Sequence, residues 1–218
     1  MNVLPIKLYK LTDEDGYTRR GCDNETLWSE GIEHTAKGTG GLCTDGVIHA
    51  YRHPLLAVLL NPCHANIRSP ILWECEGYDI VVEKGDKCGV KKLKTVKTLT
   101  LPVISIEQLV RFAIGCALEV YKDAKFKIWA LDWLSSKDKS ANTAADAAKN
   151  AAVKNTAAYA AADAAYIATY AANVANTAAH AAAYAAANAA AYTPLSAAAL
   201  LRIAEWAITN NNYDKLRS

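Results

Sequence analysis

ANTAADAAKNAAVKNTAAYAAADAAYIATYAANVANTAAHAAAYAAANAAAY, residues 141–192, is the stretch on which the reading of the fold turns. Alanine has the highest intrinsic helix propensity, and a polar or aromatic residue interrupts it every three or four positions. Tyr159, Asp163, Tyr166, Tyr170, Asn173, Thr177, His180, Tyr184, Asn188 and Tyr192 fall along one stripe of a helix. The remaining surface is almost wholly Ala, so helix backbones can approach closely. Each Ala buries little area, and the tract therefore needs a tightly packed partner. Unbroken, it would be about 75 Å long at 1.5 Å per residue, far longer than its neighbours. Two paths stay open: a fold-back into antiparallel helices near Asn155-Thr156 or Asn173–Asn176, or one long helix buried in a dimer. An exposed uncharged rod of this kind favours self-association, so a homo-oligomer through the Ala-rich helices is expected. The tyrosines read either as a seam or as a contact surface.

Working outward, Pro102 marks a change of regime. Ser105-Ile106-Glu107-Gln108 has the capping-box pattern, which predicts a helix from Ile106 to about Tyr121. A second helix is expected over Ala124 to Leu134, and a last one opens at Pro194 and carries Leu200, Ile203, Ala204 and Trp206. The first hundred residues read as strands and turns instead. Ile6 to Leu11 alternates, Asp13-Glu14-Asp15-Gly16 is a turn, and Tyr17 to Arg20 is its return strand. Asp45-Gly46 precedes a strand over Val47 to Tyr51. Pro54 suits the first turn of a helix over His53 to Leu60, ended by Asn61-Pro62. Ile71 to Glu76 and Tyr78 to Glu83 read as two strands, Glu83 to Asp86 as a turn, and Lys91 to Leu101 as a long strand. The expected class is α+β: a small mostly-β module over residues 1–102, followed by an Ala-rich antiparallel helical bundle over 103–218.

Charge and cysteine usage narrow the function. The chain has 218 residues, with 24 basic against 22 acidic side chains. Such a balance argues against a dedicated nucleic-acid binder. Lys87, Lys91, Lys92, Lys94 and Lys97 form a basic run, read as a solvated strand edge that discourages sheet-to-sheet pairing rather than as a phosphate patch. The six cysteines contain no CxxC, and MNVLPIKLYK has no apolar signal core. They read as reduced thiols, mostly small core residues, of a cytosolic protein. Asp163, Asn173, Asn176, His180 and Asn188 break the Ala tract too often for a membrane span.

No catalytic motif stands out. His49 and His53, with Cys43, Cys63 and His64 nearby, match no standard zinc spacing, so no metal and no cofactor are expected. Cys43 or Cys63 beside His34, His49 or His64 could form a nucleophile–base pair on paper, but nothing in the sequence lowers a thiol pKa. Gly38-Thr39-Gly40-Gly41 could offer backbone amides to a phosphate, although it lacks the lysine and hydroxyl residue of a P-loop. Trp73-Glu74-Cys75-Glu76 puts two carboxylates on one strand face, which suits an acid/base pair or simply a wet side. A recognition pocket is expected around His34, Gly40, Gly41, His49, Tyr51, Arg52, Trp73 and Glu74, with arginine and glycine amides for phosphate and tryptophan for a base.

Several motifs together carry a resemblance: Leu8-Tyr9-Lys10-Leu11-Thr12, Trp28-Ser29-Glu30-Gly31, Gly40-Gly41-Leu42-Cys43, Ile48-His49-Ala50-Tyr51, Pro54 through Pro62, Leu72-Trp73-Glu74 and Cys116 through Tyr121. With the Ala-rich tail, they resemble a family of phage and prophage proteins of the immunity-protein type. The resemblance implies a phage-associated accessory protein that binds a partner rather than turning over a substrate. A host defence protein or a signalling nucleotide would be that partner. The competing readings are an enzyme acting on a nucleotide or protein through His49, Arg52 and Glu74, and a structural helical scaffold such as a minor virion protein. Relatives interleave Ala with Arg, Glu and Trp, where this chain has Tyr, Asn and Thr, which favours a self-associating tail.

Overall fold

In the first strand, β1 (Ile6–Thr12), side chains alternate between two environments, and this alternation organises the whole N-terminal unit. The structure is a computed structural model that describes residues 4–42, 44–120, 124–135 and 195–209. The Ala tract, with both of its expected paths and its oligomer contact, lies outside the described residues. By its contacts the chain divides into two units, Met1–Asn61 with Ala65–Val103, and Pro62–His64 with Ile104–Ser218.

Along the chain β1 is followed by β2 (Tyr17–Thr18), β3 (Thr26–Leu27), β4 (Glu33–Thr35), β5 (Ile48–Tyr51), α1 (Pro54–Leu59), α2 (Asn61–His64, of which Pro62–His64 belong to the second unit), β6 (Ile71–Lys84) and β7 (Lys87–Leu99). β2 and β3 form a two-stranded ribbon, and the other strands form a five-stranded sheet in the order β4-β7-β5-β1-β6. All its pairings are antiparallel. Because β6 also pairs with β7, strands β7, β5, β1 and β6 close into a ring, and β4 pairs with β7 beyond the end of β5. The result is a small barrel. Irregularities in the β6–β7 ladder at Glu74/Cys75 and Ile80/Val82 bend these long strands enough to close it. Gly85 and Asp86 form their two-residue turn, with Gly85 at φ 59°. A positive φ at the first turn position matches the twist of the hairpin and favours glycine.

Leu8, Trp28, Ala50, Trp73, Cys75, Cys88, Val90 and Leu93 pack together as the barrel core. On its outer side, α1 lies on β1 and β5. Pro54 begins α1, and His53 caps it by accepting the Leu55 N–H at 3.3 Å.

In the second unit α3 (Ile106–Val120) packs against α4 (Ala124–Ser135) and against α5 (Ala197–Ile208). The capping box forms as the sequence predicts: the Gln108 N–H donates to Ser105 Oγ at 3.2 Å, and the Ser105 N–H donates to Gln108 Oε1 at 2.8 Å. Gly115 allows α3 and α5 to meet, since a Cβ there would lie 2.6 Å from Ile203 Cγ2. Arg202 pairs with Glu119 at 2.7 Å across the same contact. Pro194, the residue expected to open this last helix, lies outside the described residues; Ser196 caps α5, accepting the Ala199 N–H at 3.2 Å.

These facts correct the expected class. The described architecture is built on β structure, a five-stranded antiparallel sheet with a small second sheet, and its helices are no longer than 15 residues. It is not an α+β module completed by an Ala-rich helical bundle. Helix propensity describes the local preference of Ala, which buries little area, whereas the barrel core is built by large side chains such as Leu8, Trp73, Val90 and Leu93 in the strands.

Finer expectations change as well. The two strands foreseen over residues 71–83 are one, β6, and the strand foreseen from Lys91 starts at Lys87. The basic run is not an edge, because β7 is paired on both sides. Three of its lysines are met by carboxylates: Lys92 pairs with Glu33 at 3.3 Å, Lys94 lies across from Glu33 and Glu76, and Lys97 across from Glu74. Alternating charge in neighbouring strands stabilises the outer face. Of the described thiols, Cys75, Cys88 and Cys116 are buried, and Cys22 is exposed. Among the described residues no helix is long and apolar enough to cross a membrane.

Candidate functional site

Period-two geometry places Leu8, Lys10 and Thr12 on the inner face of β1. Leu8 lies directly across from Cys75, and Lys10 from Trp73, so a lysine points into the barrel. Lys10 is only 8% exposed. Its ammonium donates to the His49 carbonyl oxygen at 3.0 Å and lies 4.7 Å from the centre of the Trp28 ring. Burial pulls its pKa down to about 8, and the charges of Arg19 and Lys87 add to the effect, while Cys75 opposes it.

Trp28 comes from the chain between β3 and β4. Its Nε1–H donates to Thr18 Oγ1 at 3.0 Å, and the His34 ring meets it edge-on at 4.5 Å. His34 Nε2–H donates to the Leu27 carbonyl at 2.8 Å, which orients the imidazole. Arg19 sits at φ 56° just after β2, and its guanidinium donates to the Thr44 carbonyl at 3.4 Å. Thr44 in turn donates to the Gly41 carbonyl at 2.8 Å and lies beside Gly40. The glycine loop is thereby tied to Arg19. His49 completes the group. Burial, followed by the charges of Lys87, Lys10 and Arg19, holds its pKa down to about 3, so the ring is neutral near pH 7.

The expected pocket residues therefore divide. His34, His49 and the Gly40–Gly41 loop gather around Lys10, Arg19 and Trp28. Trp73 is a core residue whose Nε1–H donates to Thr12 Oγ1 at 3.0 Å, with its ring enclosed among apolar neighbours. Glu74, on the opposite face of β6, pairs with Lys7 at 2.9 Å. Tyr51 is buried and lies between Tyr9 and Lys87. Arg52 pairs with Glu83 at 2.6 Å, and its N–H donates to the Asp86 carbonyl at 2.9 Å.

Lys10, Arg19, Trp28, Lys87 and Asp86 carry unusual environments that sequence reasoning missed. For Lys10 the signal was present: it is in phase with Ile6 and Leu8, the apolar side of its strand. The Asp86 carboxylate accepts the His53 N–H at 3.3 Å, and burial pushes its pKa up to about 7. The thiols of Cys75 and Cys88 are pushed by burial up to about 12, which removes them as thiolate nucleophiles. Cys43 and the Cys63 side chain lie outside the described residues. No cluster of three or more His, Cys, Asp or Glu among the described residues could hold a metal ion.

No protein-family model, no curated protein and no solved structure matches this chain.

Proposed function

We propose that the protein is a non-enzymatic binding module whose recognition site is the barrel mouth formed by Lys10, Arg19, Trp28, His34, His49 and the Gly40–Gly41 loop. The observation that carries this reading is a buried lysine that no carboxylate pairs with among the described residues, its ammonium set between the His49 carbonyl and the Trp28 ring. A site of that polarity suits a small anionic ligand, and the Trp28–His34 pair offers an aromatic wall. The resemblance to phage and prophage proteins supports a phage-associated role in the host cell, with a sequestered signalling nucleotide as the favoured partner and a host defence protein as the other. Self-association through residues 141–192 belongs to the same proposal.

An enzyme built on His49 and Glu74 has less support. Burial makes the neutral His49 ring a weak base, and the Lys7 partner keeps the Glu74 carboxyl below its ordinary pKa. Melting temperature across a panel of nucleotides tests the reading. The expected result is a rise with at least one of them that Arg19→Ala reduces. An unchanged melting temperature across the whole panel would remove the nucleotide, and binding of a defence protein that ignores both Arg19→Ala and His34→Ala would remove the site.

A further inference from the structure

We infer that Lys10 is the charged seat of an oxyanion site, with Arg19 as its second cation, and that the ligand is a phosphate group, carried by a nucleotide or free. This inference rests on the binding-module reading and gives it a ligand chemistry.

The argument starts from an imbalance. An ammonium group has three donors. Lys10 uses one on the His49 carbonyl and turns toward the face of Trp28. No carboxylate among the described residues forms an ion pair with it. Buried charges are normally paired, and a buried cation without a counter-ion costs several kcal/mol. Around it the barrel interior is apolar: Leu8, Trp73, Cys75 and Val90. A methionine would fill the same space at no electrostatic cost. The lysine is therefore explained by a negative group that arrives with a ligand.

The surroundings specify that group. The charges acting on Lys10 are those of Arg19 and Lys87, while burial keeps the Cys75 thiol protonated near neutral pH. Arg19 is exposed, with one donor on Thr44 and a planar fork suited to two oxygens of one group. His49 is neutral, so it adds hydrogen bonding without charge. A buried ammonium acted on by further positive charge suits a dianion better than a monoanion. A phosphate monoester or inorganic phosphate fits, and a simple carboxylate fits less well.

The test uses the full chain and inorganic phosphate as the probe, against chloride at equal ionic strength. Phosphate is expected to raise the melting temperature. Its affinity should climb as phosphate loses its second proton, and fall about tenfold per pH unit above about pH 8, where Lys10 gives up its own. Lys10→Met should fold and lose at least tenfold in phosphate affinity, and Arg19→Ala, at an exposed position, should lose several-fold. Adenosine monophosphate as a second probe separates the sources: tighter binding than phosphate identifies a nucleotide, and equal binding identifies free phosphate. If Lys10→Met does not fold, the pH profile of the unmodified protein and Arg19→Ala decide the matter. An identical phosphate response in the unmodified protein and both variants overturns the inference, as does the absence of any response from pH 6.5 to 9.5. A nucleotide that binds the protein and Lys10→Met equally overturns the oxyanion seat while leaving the binding module standing.

Discussion

Each unit of this protein holds a buried tryptophan with a cation on its face. Lys10 lies 4.7 Å from the Trp28 ring in the barrel, and Arg111 lies 4.5 Å from the Trp206 ring between α3 and α5. The two cations are equally hidden, at 8% and 5% exposure. Burial lowers the pKa of both, but the consequences differ. A guanidinium starts so high that it stays charged at any ordinary pH. An ammonium brought down to about 8 titrates within reach of physiological conditions. The helical pair is a fixed structural contact, and the barrel pair is one whose charge responds to pH and to ligand. Partners differ as well: Glu107 acts favourably on Arg111 from the same helix, whereas Lys10 faces further cations.

The sharpest way to separate the pairs is to remove the rings. Trp206→Ala should destabilise the helical unit by about 3–5 kcal/mol, read by chemical denaturation. Trp28→Ala should cost a similar amount and in addition change the Lys10 pKa, which no ring removal at Trp206 can do. A matching Trp206→Ala effect on the pH profile would break the comparison.

Next comes removal of the cations. The folded pKa of Lys10 lies below its unfolded value of about 10.4, so the unfolded chain binds the extra proton between the two. Stability should therefore rise as pH increases from about 8 to about 10. Lys10→Met should abolish that rise and add on the order of 2 kcal/mol at neutral pH. Arg111→Met should leave the rise in place. A rise that survives Lys10→Met would show that another group titrates there.

Asp86 gives a third contrast, because its shift has the opposite sense. Its folded pKa, about 7, is above its ordinary value of 3.8, so the folded protein keeps the proton longer and loses stability as pH climbs through that window. Asp86→Asn should remove the loss and stabilise the barrel by about 1–2 kcal/mol at pH 8, as thermal unfolding at several pH values would show. A stability curve unchanged by the substitution would place the titration elsewhere. The smallest effect belongs to the helical unit: Ser105→Ala should cost about 1 kcal/mol by removing the cap of α3, with no pH dependence between 6 and 9. A cost near zero would mean that Gln108, which also donates to the Ile208 carbonyl at 2.8 Å, holds that end without the serine.

Local chemistry was legible where it is settled by neighbours in sequence. The capping box at Ser105, Pro54 at the start of α1, the alternation of β1 and the turn at Gly85 all follow from rules that span a few residues. The site was only partly legible. His34, His49 and the glycine loop are recognisable as residue types, whereas Trp73 and Glu74, adjacent on β6, face opposite ways and share no site with them. Lys10 escaped notice because lysine is read as solvent-facing unless its phase is checked against the apolar residues beside it.

What the chain sequence determined alone was several local elements, among them β1, α1 and α3 with its Ser105 cap, together with the near-neutral charge balance, since propensity and hydrogen bonding at termini are local. Barrel closure, the pairing of β7 on both sides, and the burial of Lys10 beneath Trp28 were decided by tertiary structure. Those features depend on residues as far apart as Lys10, Trp28 and His49 arriving at one place, and on the exclusion of water when they do. Only that exclusion changes a lysine from a surface charge into a titrating group in the interior.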